Sequence, residues 1–106
     1  MRLSRAISLI EFARMMFYLI CYDIPDDRRR KKIADLLEGY GTRVQYSVFE
    51  CHLSAKKLKE LQHRLRKRFN QNEDSIRFYP LSPSMLAQTI VWGSPPVSSP
   101  PSSIII

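Results

Sequence analysis

The sequence contains little cysteine, glycine or histidine, and each shortage excludes a class of site. Its 106 residues include two cysteines, three glycines and two histidines. Because Cys21 and Cys51 have no zinc-ligand spacing with His52 or His63, no zinc site or histidine triad is expected. We predict two free thiols in a reducing cytoplasm, with a Cys21–Cys51 disulfide as the alternative. A glycine-rich phosphate loop and an RNP1 motif are also absent.

Long apolar runs are lacking as well. No run approaches the roughly 18 residues that a membrane-spanning helix needs, so no membrane association is expected. Glu11 and Arg14 interrupt the N-terminal segment before a signal-like apolar region develops. We predict an N-terminal appendage over residues 1–15, with a short amphipathic helix as one alternative for it. The main domain then spans residues 16–93, and the proline- and serine-rich residues 94–106 form a disordered tail.

Positive charge dominates what is present. The formal net charge is +7 and the calculated isoelectric point is about 9.8. This balance favours a polyanionic partner, either nucleic acid or an anionic membrane surface. A solvated charged face with no ligand is the alternative interpretation.

Hydrophobic periodicity predicts seven elements. Residues 16–23 form a central apolar strand, and residues 25–38 form a basic amphipathic helix. Residues 42–53 alternate with a period of two and are expected to divide near Tyr46. A second helix covers residues 55–69, capped by Ser54, and strands follow at 75–80 and 88–92. The order predicts an α+β ferredoxin-like sandwich, with both helices on one face of an antiparallel sheet.

The alternation in residues 42–53 also predicts which side chains share a face of the sheet. Val44, Tyr46 and Val48 are expected on one face of the sheet. Arg43, Gln45 and Ser47 are expected on the other.

Asp23 is the first candidate for chemistry, because it is a carboxylate at the end of an apolar strand. Such a group suits Mg²⁺ or Mn²⁺, which prefer oxygen ligands. One carboxylate makes a weak site, so a homodimer that brings together two copies of Asp23 would strengthen it. The alternative is that Asp23 caps the following helix or pairs with an arginine.

A run of five cations follows, from Arg28 to Lys32. These residues span more than one helical turn, so they cannot all face one way. Arg30 and Lys32 are the best candidates for phosphate contacts, and Arg43 and Arg28 are further candidates. The aromatic residues near this charge either stack on bases or pack in the core; they are Tyr22, Tyr46 and Phe49.

Two motifs together resemble the CRISPR-associated Cas2 family. The first is Tyr-Asp-Ile-Pro-Asp-Asp-Arg-Arg-Arg-Lys-Lys at residues 22–32. The second is Gly-Thr-Arg-Val-Gln-Tyr-Ser-Val-Phe-Glu at residues 41–50. Ile-Arg-Phe-Tyr-Pro at residues 76–80 fits a later strand of the family. The resemblance covers about residues 16–93.

The resemblance implies a βαββαβ protomer in a symmetric homodimer, with a C-terminal strand near 88–92 added to the partner's sheet. It implies a role in CRISPR adaptation, in which the dimer bridges the Cas1 integrase and holds duplex DNA of the incoming spacer. It also implies metal-dependent cleavage of single-stranded RNA or duplex DNA. Asp23 takes the metal position, and the neighbouring site positions fall on Tyr22, Arg30, Arg43 and Phe49. Lys32 stands where the family has an arginine.

Two functions of different classes follow. One is a Mg²⁺- or Mn²⁺-dependent endonuclease in which Asp23 holds the metal and the arginines offset developing charge. The other is a non-catalytic scaffold that binds duplex DNA through its cations, with steep salt dependence. A weaker alternative is a toxin-like RNA interferase, suggested by the similar virulence-associated protein D family.

Overall fold

The computed structural model describes residues 7–10, 14–93, 95–99 and 104–105, and its centre is a four-stranded antiparallel sheet. A short parallel pair lies outside this sheet and joins β1 (Ile7–Ser8) to β6 (Ile104–Ile105). The strands of the central sheet are β2 (Met16–Asp23), β3 (Thr42–Gln45), β4 (Val48–Leu53) and β5 (Ser75–Leu81). Their order is β3-β4-β2-β5, so β2 is central as predicted.

Two helices connect these strands, α1 (Asp27–Glu38) after β2 and α2 (Ala55–Arg66) after β4. Strand β4 therefore lies between β2 and β3, the two strands joined through α1. This split βαβ arrangement, repeated with α2 and β5, is the ferredoxin-like topology. The predicted fold class is confirmed.

The helices begin where side chains cap them. The Asp26 carboxylate accepts a hydrogen bond from the Arg29 amide at 2.8 Å, so α1 starts at Asp27 and Pro25 lies before the cap. The Ser54 hydroxyl accepts one from the Lys57 amide at 3.2 Å, which confirms the predicted cap of α2. Both helices are shorter than the predicted 25–38 and 55–69, because caps and final turns set their ends.

Both helices pack on one face of the sheet and form the core with it. The core residues with no exposed surface are Ile20, Ile33, Leu37, Phe49, Cys51 and Leu61. The opposite face, here called the helix-free face, carries Phe17, Leu19 and Cys21 of β2 with Glu50 and His52 of β4. Phe17 is buried there, but the other four are only partly buried, so this face is less covered than the apolar run predicted.

The two cysteines lie on opposite faces of the sheet. Cys51 pairs in register with Tyr18, which packs against the helix-side core, whereas Cys21 pairs with Val48 and lies on the helix-free face. Both are free, as predicted. Burial raises the pKa of the Cys51 thiol to about 12, so this thiol is unreactive at neutral pH.

The predicted division near Tyr46 is confirmed, but the predicted faces are wrong. A turn at Tyr46 and Ser47 separates β3 from β4. The pairing of β3 with β4 shifts register between Arg43 and Gln45. This bulge interrupts the period of two, and Arg43 and Tyr46 come together instead of lying on opposite faces.

The chain after β5 differs from the prediction. A short helix, α3 (Pro83–Leu86), packs against β2, and residues 88–92 form no strand. The side chains of Ile90 and Trp92 are 82% and 94% exposed. A strand needs an edge to pair with, and this segment lies against none in the single chain. The predicted strand at 88–92 is therefore not formed in the protomer.

The terminal segments are only partly described. Residues 1–6, 11–13, 94, 100–103 and 106, which fall in or near the predicted appendage and tail, lie outside the described residues. Ile7–Ser8 is a strand, so no helix begins at Ile7. The division into 1–15, 16–93 and 94–106 stays a prediction. In the described part of the chain, no helix is long and apolar enough to cross a membrane.

Replacing Gly41 by alanine is expected to lower the free energy of unfolding by about 2 kcal/mol. An added Cβ would overlap the Cys51 thiol and the Glu50 carbonyl oxygen, and the latter belongs to a paired strand that cannot easily move. Urea denaturation measures the loss. Lys59→Ala, at an exposed position of α2, is the control and should change stability by less than about 0.5 kcal/mol. Equal stability of Gly41→Ala and the wild type would contradict this packing.

Candidate nucleic-acid interface and metal ligand

Asp23 is the last residue of the central strand and pairs in register with Ser75 at the start of β5. Its side chain is exposed, and it has no hydrogen bond or ion pair to any residue that the structure describes. The alternative that Asp23 caps α1 is wrong, because Asp26 caps it. Asp23 therefore presents a carboxylate to solvent at the end of a rigid element.

The Asp23 carboxylate suits a divalent cation, but few other protein groups are available there as ligands. Among the residues that the structure describes, no group of three or more His, Cys, Asp or Glu side chains could hold a metal. The nearby carboxylates are engaged, since Asp26 caps the helix and Asp27 pairs with Arg30. Mg²⁺ keeps several waters and binds proteins through one or two carboxylates. Asp23 of one chain would supply one such ligand.

Arg30 fastens the loop that follows Asp23. Its guanidinium donates to the carbonyl oxygen of Ile24 at 2.9 Å and to that of Pro25 at 3.4 Å. It also pairs with Asp27, and this hydrogen bond raises the pKa of Arg30 above its ordinary value. Arg30 therefore stays charged and fixes the backbone next to the Asp23 carboxylate.

Arg43 lies over the rings of Tyr46 and Phe49. Its guanidinium donates to the Tyr22 hydroxyl at 3.2 Å and lies 3.7 Å from the Glu38 carboxylate. The hydrogen bond to Tyr22 raises the pKa of Arg43. The Tyr22 hydroxyl in turn donates to the Tyr46 carbonyl oxygen at 3.2 Å. This chain of contacts holds Arg43 in place at the turn.

Tyr46 connects the two arginines. Its ring centroid lies 5.9 Å from the guanidinium carbon of Arg30 and 5.8 Å from that of Arg43, within cation–π range. The Tyr46 side chain is 71% exposed. An exposed ring next to two guanidiniums offers a stacking surface for a base beside donors for phosphates. Here the set of Arg30, Arg43 and Tyr46 is called the arginine–tyrosine patch.

Phe49 and Tyr22 support the patch from inside. Phe49 has no exposed surface and stacks on Tyr22 with ring centroids 6.3 Å apart. The guanidinium carbon of Arg43 lies 5.4 Å from the Phe49 ring. Because Phe49 is fully buried and Tyr22 is 5% exposed, these two residues position Arg43 and do not present a face to a ligand.

The five cations from Arg28 to Lys32 point in different directions from α1 and have different partners. Lys31 pairs with Asp35 at 3.0 Å, and Arg29 pairs with Asp74. Arg28 and Lys32 are exposed and form no ion pair with a described residue. Lys32 lines a groove between α1 and the residues that follow α2, together with Lys67 and Arg68, so it belongs to a different part of the surface from Arg30.

The Arg29–Asp74 pair was not foreseen in the sequence, because its members are 45 residues apart. The guanidinium donates to both carboxylate oxygens, at 2.7 and 2.9 Å, and the Asn70 amide donates to the same carboxylate at 2.9 Å. The Asp74 side chain is fully buried. The hydrogen bond from Arg29 holds the pKa of Asp74 below its usual range. The pair ties the first turn of α1 to the start of β5.

Asp74→Asn is expected to lower the free energy of unfolding by about 2 kcal/mol at pH 7, because the buried partner of an ion pair loses its charge and Arg29 keeps only the longer contact to Glu73 at 3.6 Å. The pKa of Asp74 is lower in the folded protein than in the unfolded chain, where an aspartate has a pKa of about 4. The ionised carboxylate therefore stabilises the fold fully above that unfolded pKa, and this stability is lost as the pH falls through the pKa of the folded state. The difference between wild type and variant should therefore shrink below about pH 4. Urea denaturation from pH 2 to 7 measures it.

Asp35→Asn is the matched control, since its partner Lys31 is exposed and lies one helical turn away. It should change stability by less than about 0.5 kcal/mol. If the difference in unfolding free energy between the wild type and Asp74→Asn stays constant from pH 2 to 7, the lowered pKa of Asp74 does not contribute to stability and the prediction is wrong.

Comparisons with known proteins identify the family of the chain. The family model for CRISPR associated protein Cas2 matches residues 16–89. A protein of Synechocystis sp. (strain ATCC 27184 / PCC 6803 / Kazusa), named CRISPR-associated endoribonuclease Cas2 3, is 65% identical over 92 residues, which are 87% of this chain and 100% of that protein.

Solved structures give the same result. The crystal structure of Streptococcus pyogenes Cas2 at pH 6.5 has a TM-score of 0.65 and 34% identity, and covers 74% of this chain and 100% of that one. A chain of a partial Cas6-RT-Cas1–Cas2 complex has a TM-score of 0.70 and 33% identity, and covers 87% and 100% of the two chains. The chain therefore belongs to the CRISPR-associated Cas2 family.

Proposed function

We propose that this protein acts in CRISPR adaptation, in the cytoplasm, as a homodimer that binds duplex DNA and bridges Cas1. The observation that supports nucleic-acid binding is the arginine–tyrosine patch, in which an exposed ring lies close to two guanidiniums held by other contacts. Membership of the Cas2 family and likeness to a chain from a complex that includes Cas1 support the adaptation role.

The arginine–tyrosine patch suits a nucleic-acid backbone and has no means of reading a base sequence. Arginines contact phosphates through paired donors, and Tyr46 stacks on any base. Arg28 and Lys32 extend the positive surface along α1. Binding through phosphates gives strong salt dependence and little sequence preference. Duplex DNA of a spacer precursor and single-stranded RNA both meet these requirements.

We also propose that the protein cleaves phosphodiester bonds with Mg²⁺ or Mn²⁺ held by Asp23. A relative at 65% identity is named an endoribonuclease, which supports a nuclease. The cation would supply Lewis-acid polarisation of the scissile phosphate and a more acidic bound water. Arg30 and Arg43 would offset the charge that develops on the phosphate oxygens. A homodimer that brings two Asp23 side chains together would give two carboxylate ligands.

A scaffold without catalysis is the second candidate. It is favoured by the arginine–tyrosine patch, which offers contacts to phosphates and bases without a metal. The Asp23→Ala variant separates the two candidates. If the protein serves adaptation as a scaffold, this variant keeps duplex binding and spacer acquisition in cells, whether or not the wild type also cleaves nucleic acid. Loss of acquisition with binding intact would assign cleavage a role in adaptation. Growth arrest on expression of the wild type would instead support the toxin-like RNA interferase.

A further inference from the structure

The pairing of Asp23 with Ser75 is the last pair between β2 and β5, and the chain leaves the sheet on both sides of it. After Asp23 the chain turns into α1, and before Ser75 it comes from the segment that follows α2. A pair at the end of a strand has paired neighbours on one side only, so it frays unless other groups fix it. The position of the Asp23 carboxylate therefore depends on what ties these two segments together.

The Arg29–Asp74 ion pair makes that connection. Arg29 lies in the first turn of α1, and Asp74 directly precedes β5. The guanidinium donates through Nε and one terminal nitrogen to the two carboxylate oxygens, so the pair is fixed in direction as well as in distance. Together with the Asp23–Ser75 pairing, it closes a loop of chain around the end of the sheet.

Consecutive arginines of α1 have different partners around this closed loop. Arg30 reaches back to the carbonyl oxygens of Ile24 and Pro25, inside the turn. Arg29 reaches across to the carboxylate that precedes β5, whose side chain has no exposed surface. Arg28 is exposed and has no ion pair with a described residue. Two of the three arginines therefore fix the turn after Asp23, each from a different side.

The far side of the closed loop is braced as well. The Asn70 amide donates to the Asp74 carboxylate at 2.9 Å, and the Asp74 amide donates to the Asn70 carbonyl oxygen at 2.8 Å. These reciprocal hydrogen bonds make the Asp74 carboxylate a rigid anchor for Arg29. On the other side of β2, the Tyr22 amide donates to the Ser47 carbonyl oxygen at 3.1 Å. The end of β2 is thus held from both neighbouring strands.

We propose that Arg29 is a positioning residue for the divalent cation, and that its ion pair with Asp74 sets the affinity of the Asp23 carboxylate for Mg²⁺ or Mn²⁺. This inference rests on the proposed metal site at Asp23 and adds residues that do not touch the cation. A cation with one carboxylate ligand per chain binds well only if that carboxylate is preorganised, because a frayed strand end must be ordered on binding. Replacing groups that orient a metal ligand typically lowers metal affinity by about 10- to 100-fold.

Arg29→Lys tests the proposal, because lysine keeps the charge but has no fork of donors for the two carboxylate oxygens. The Mn²⁺ dissociation constant of the full chain, measured by electron paramagnetic resonance without nucleic acid, should rise by about tenfold. In cleavage assays, the Mn²⁺ concentration for half-maximal rate should rise by the same factor. The rate at saturating Mn²⁺ should stay within about threefold of the wild type, because Asp23 is still present.

Two variants separate positioning from charge and from stability. Arg28→Lys makes the same replacement at the adjacent, unpaired arginine and should keep the Mn²⁺ affinity. Gly41→Ala is destabilising through its contact with β4, away from the Arg29–Asp74 pair, and should also keep it. An equal fall in Mn²⁺ affinity in Gly41→Ala and Arg29→Lys would show that only global stability matters, and would overturn the proposal.

Asp23→Asn distinguishes failure of this inference from failure of the proposed metal site. If Asp23→Asn binds Mn²⁺ as tightly as the wild type, the cation is held elsewhere and both proposals are wrong. If Asp23→Asn loses the cation and a folded Arg29→Lys protein keeps the wild-type affinity, only the positioning role is wrong.

A measurement on the wild type keeps the proposal testable if Arg29→Lys does not fold. Coupling between two sites is reciprocal, so a cation at Asp23 must stabilise the ion pair as much as the ion pair favours the cation. Saturating Mg²⁺ should therefore slow exchange of the Asn70 amide, which donates to the Asp74 carboxylate, by about tenfold. The Lys57 amide, which donates to the cap of α2, should exchange at the same rate with and without Mg²⁺. An Asn70 amide that exchanges equally fast in both conditions would contradict the coupling.

Discussion

Replacing Asp23 by asparagine is expected to reduce metal-dependent cleavage by roughly 100-fold or more. Asparagine keeps the size of the side chain but removes the charge that a divalent cation needs. Asp23 is exposed and has no partner among the described residues, so the fold should not depend on its charge. Cleavage of single-stranded RNA and of duplex DNA is measured over a range of Mg²⁺ and Mn²⁺ concentrations, with a chelator as the blank.

The control for this substitution lies three residues further along. Asp26→Asn makes the same change in a side chain that caps α1, and asparagine caps helices as well as aspartate does. It should therefore keep both stability and cleavage. Affinity for duplex DNA should be unchanged or slightly higher in Asp23→Asn, because a negative charge is removed beside the cations. Cleavage by Asp23→Asn at the wild-type rate would show that the activity comes from another site or from a contaminant.

The second large effect is expected from the arginine–tyrosine patch. Arg30→Gln and Arg43→Gln should each weaken duplex binding by about tenfold near physiological salt. Each should also reduce the slope of log affinity against log salt by about one. Fluorescence anisotropy at several salt concentrations gives both quantities. The expectation rests on geometry, since both guanidiniums are partly exposed and are fixed around Tyr46.

Lys31→Gln is the matched control, because it removes the same charge from the helix that carries Arg30. Lys31 pairs with Asp35, so its charge is already offset, and the salt slope should change little. Thermal unfolding of each variant checks that loss of the Arg30 contacts to Ile24 and Pro25 has not disordered the loop. If Lys31→Gln lowers affinity as much as Arg43→Gln, binding follows total charge and the patch has no special role.

The sequence was sufficient to place Asp23, because an apolar run, a carboxylate and a proline mark the end of a buried strand. It was also sufficient for the ferredoxin-like fold, since two amphipathic helices and alternating strands admit few packings. Ser54 was identified as a cap because it stands directly before an amphipathic pattern. These features are local, and local signals survive in a single sequence.

The patch was predicted only in part. Tyr46 and Arg43 were assigned to opposite faces because strict alternation cannot foresee a bulge. Arg29 is indistinguishable in sequence from Arg28 and Arg30, yet its partner Asp74 lies 45 residues away and fixes it to the scaffold. Residues 88–92 have the pattern of a strand, but a strand also requires a neighbour with free backbone groups. In each case the missing information was tertiary.

The exposure of Trp92 has a spectroscopic consequence. It is the one tryptophan in the sequence, and its indole is 94% exposed in a segment without regular structure. The tryptophan emission, excited selectively over the five tyrosines, therefore reports on that segment alone, with the long wavelength and ready quenching of a hydrated indole. Any molecule that covers residues 88–92 will shift this emission to shorter wavelength, so association through the segment can be followed without a label.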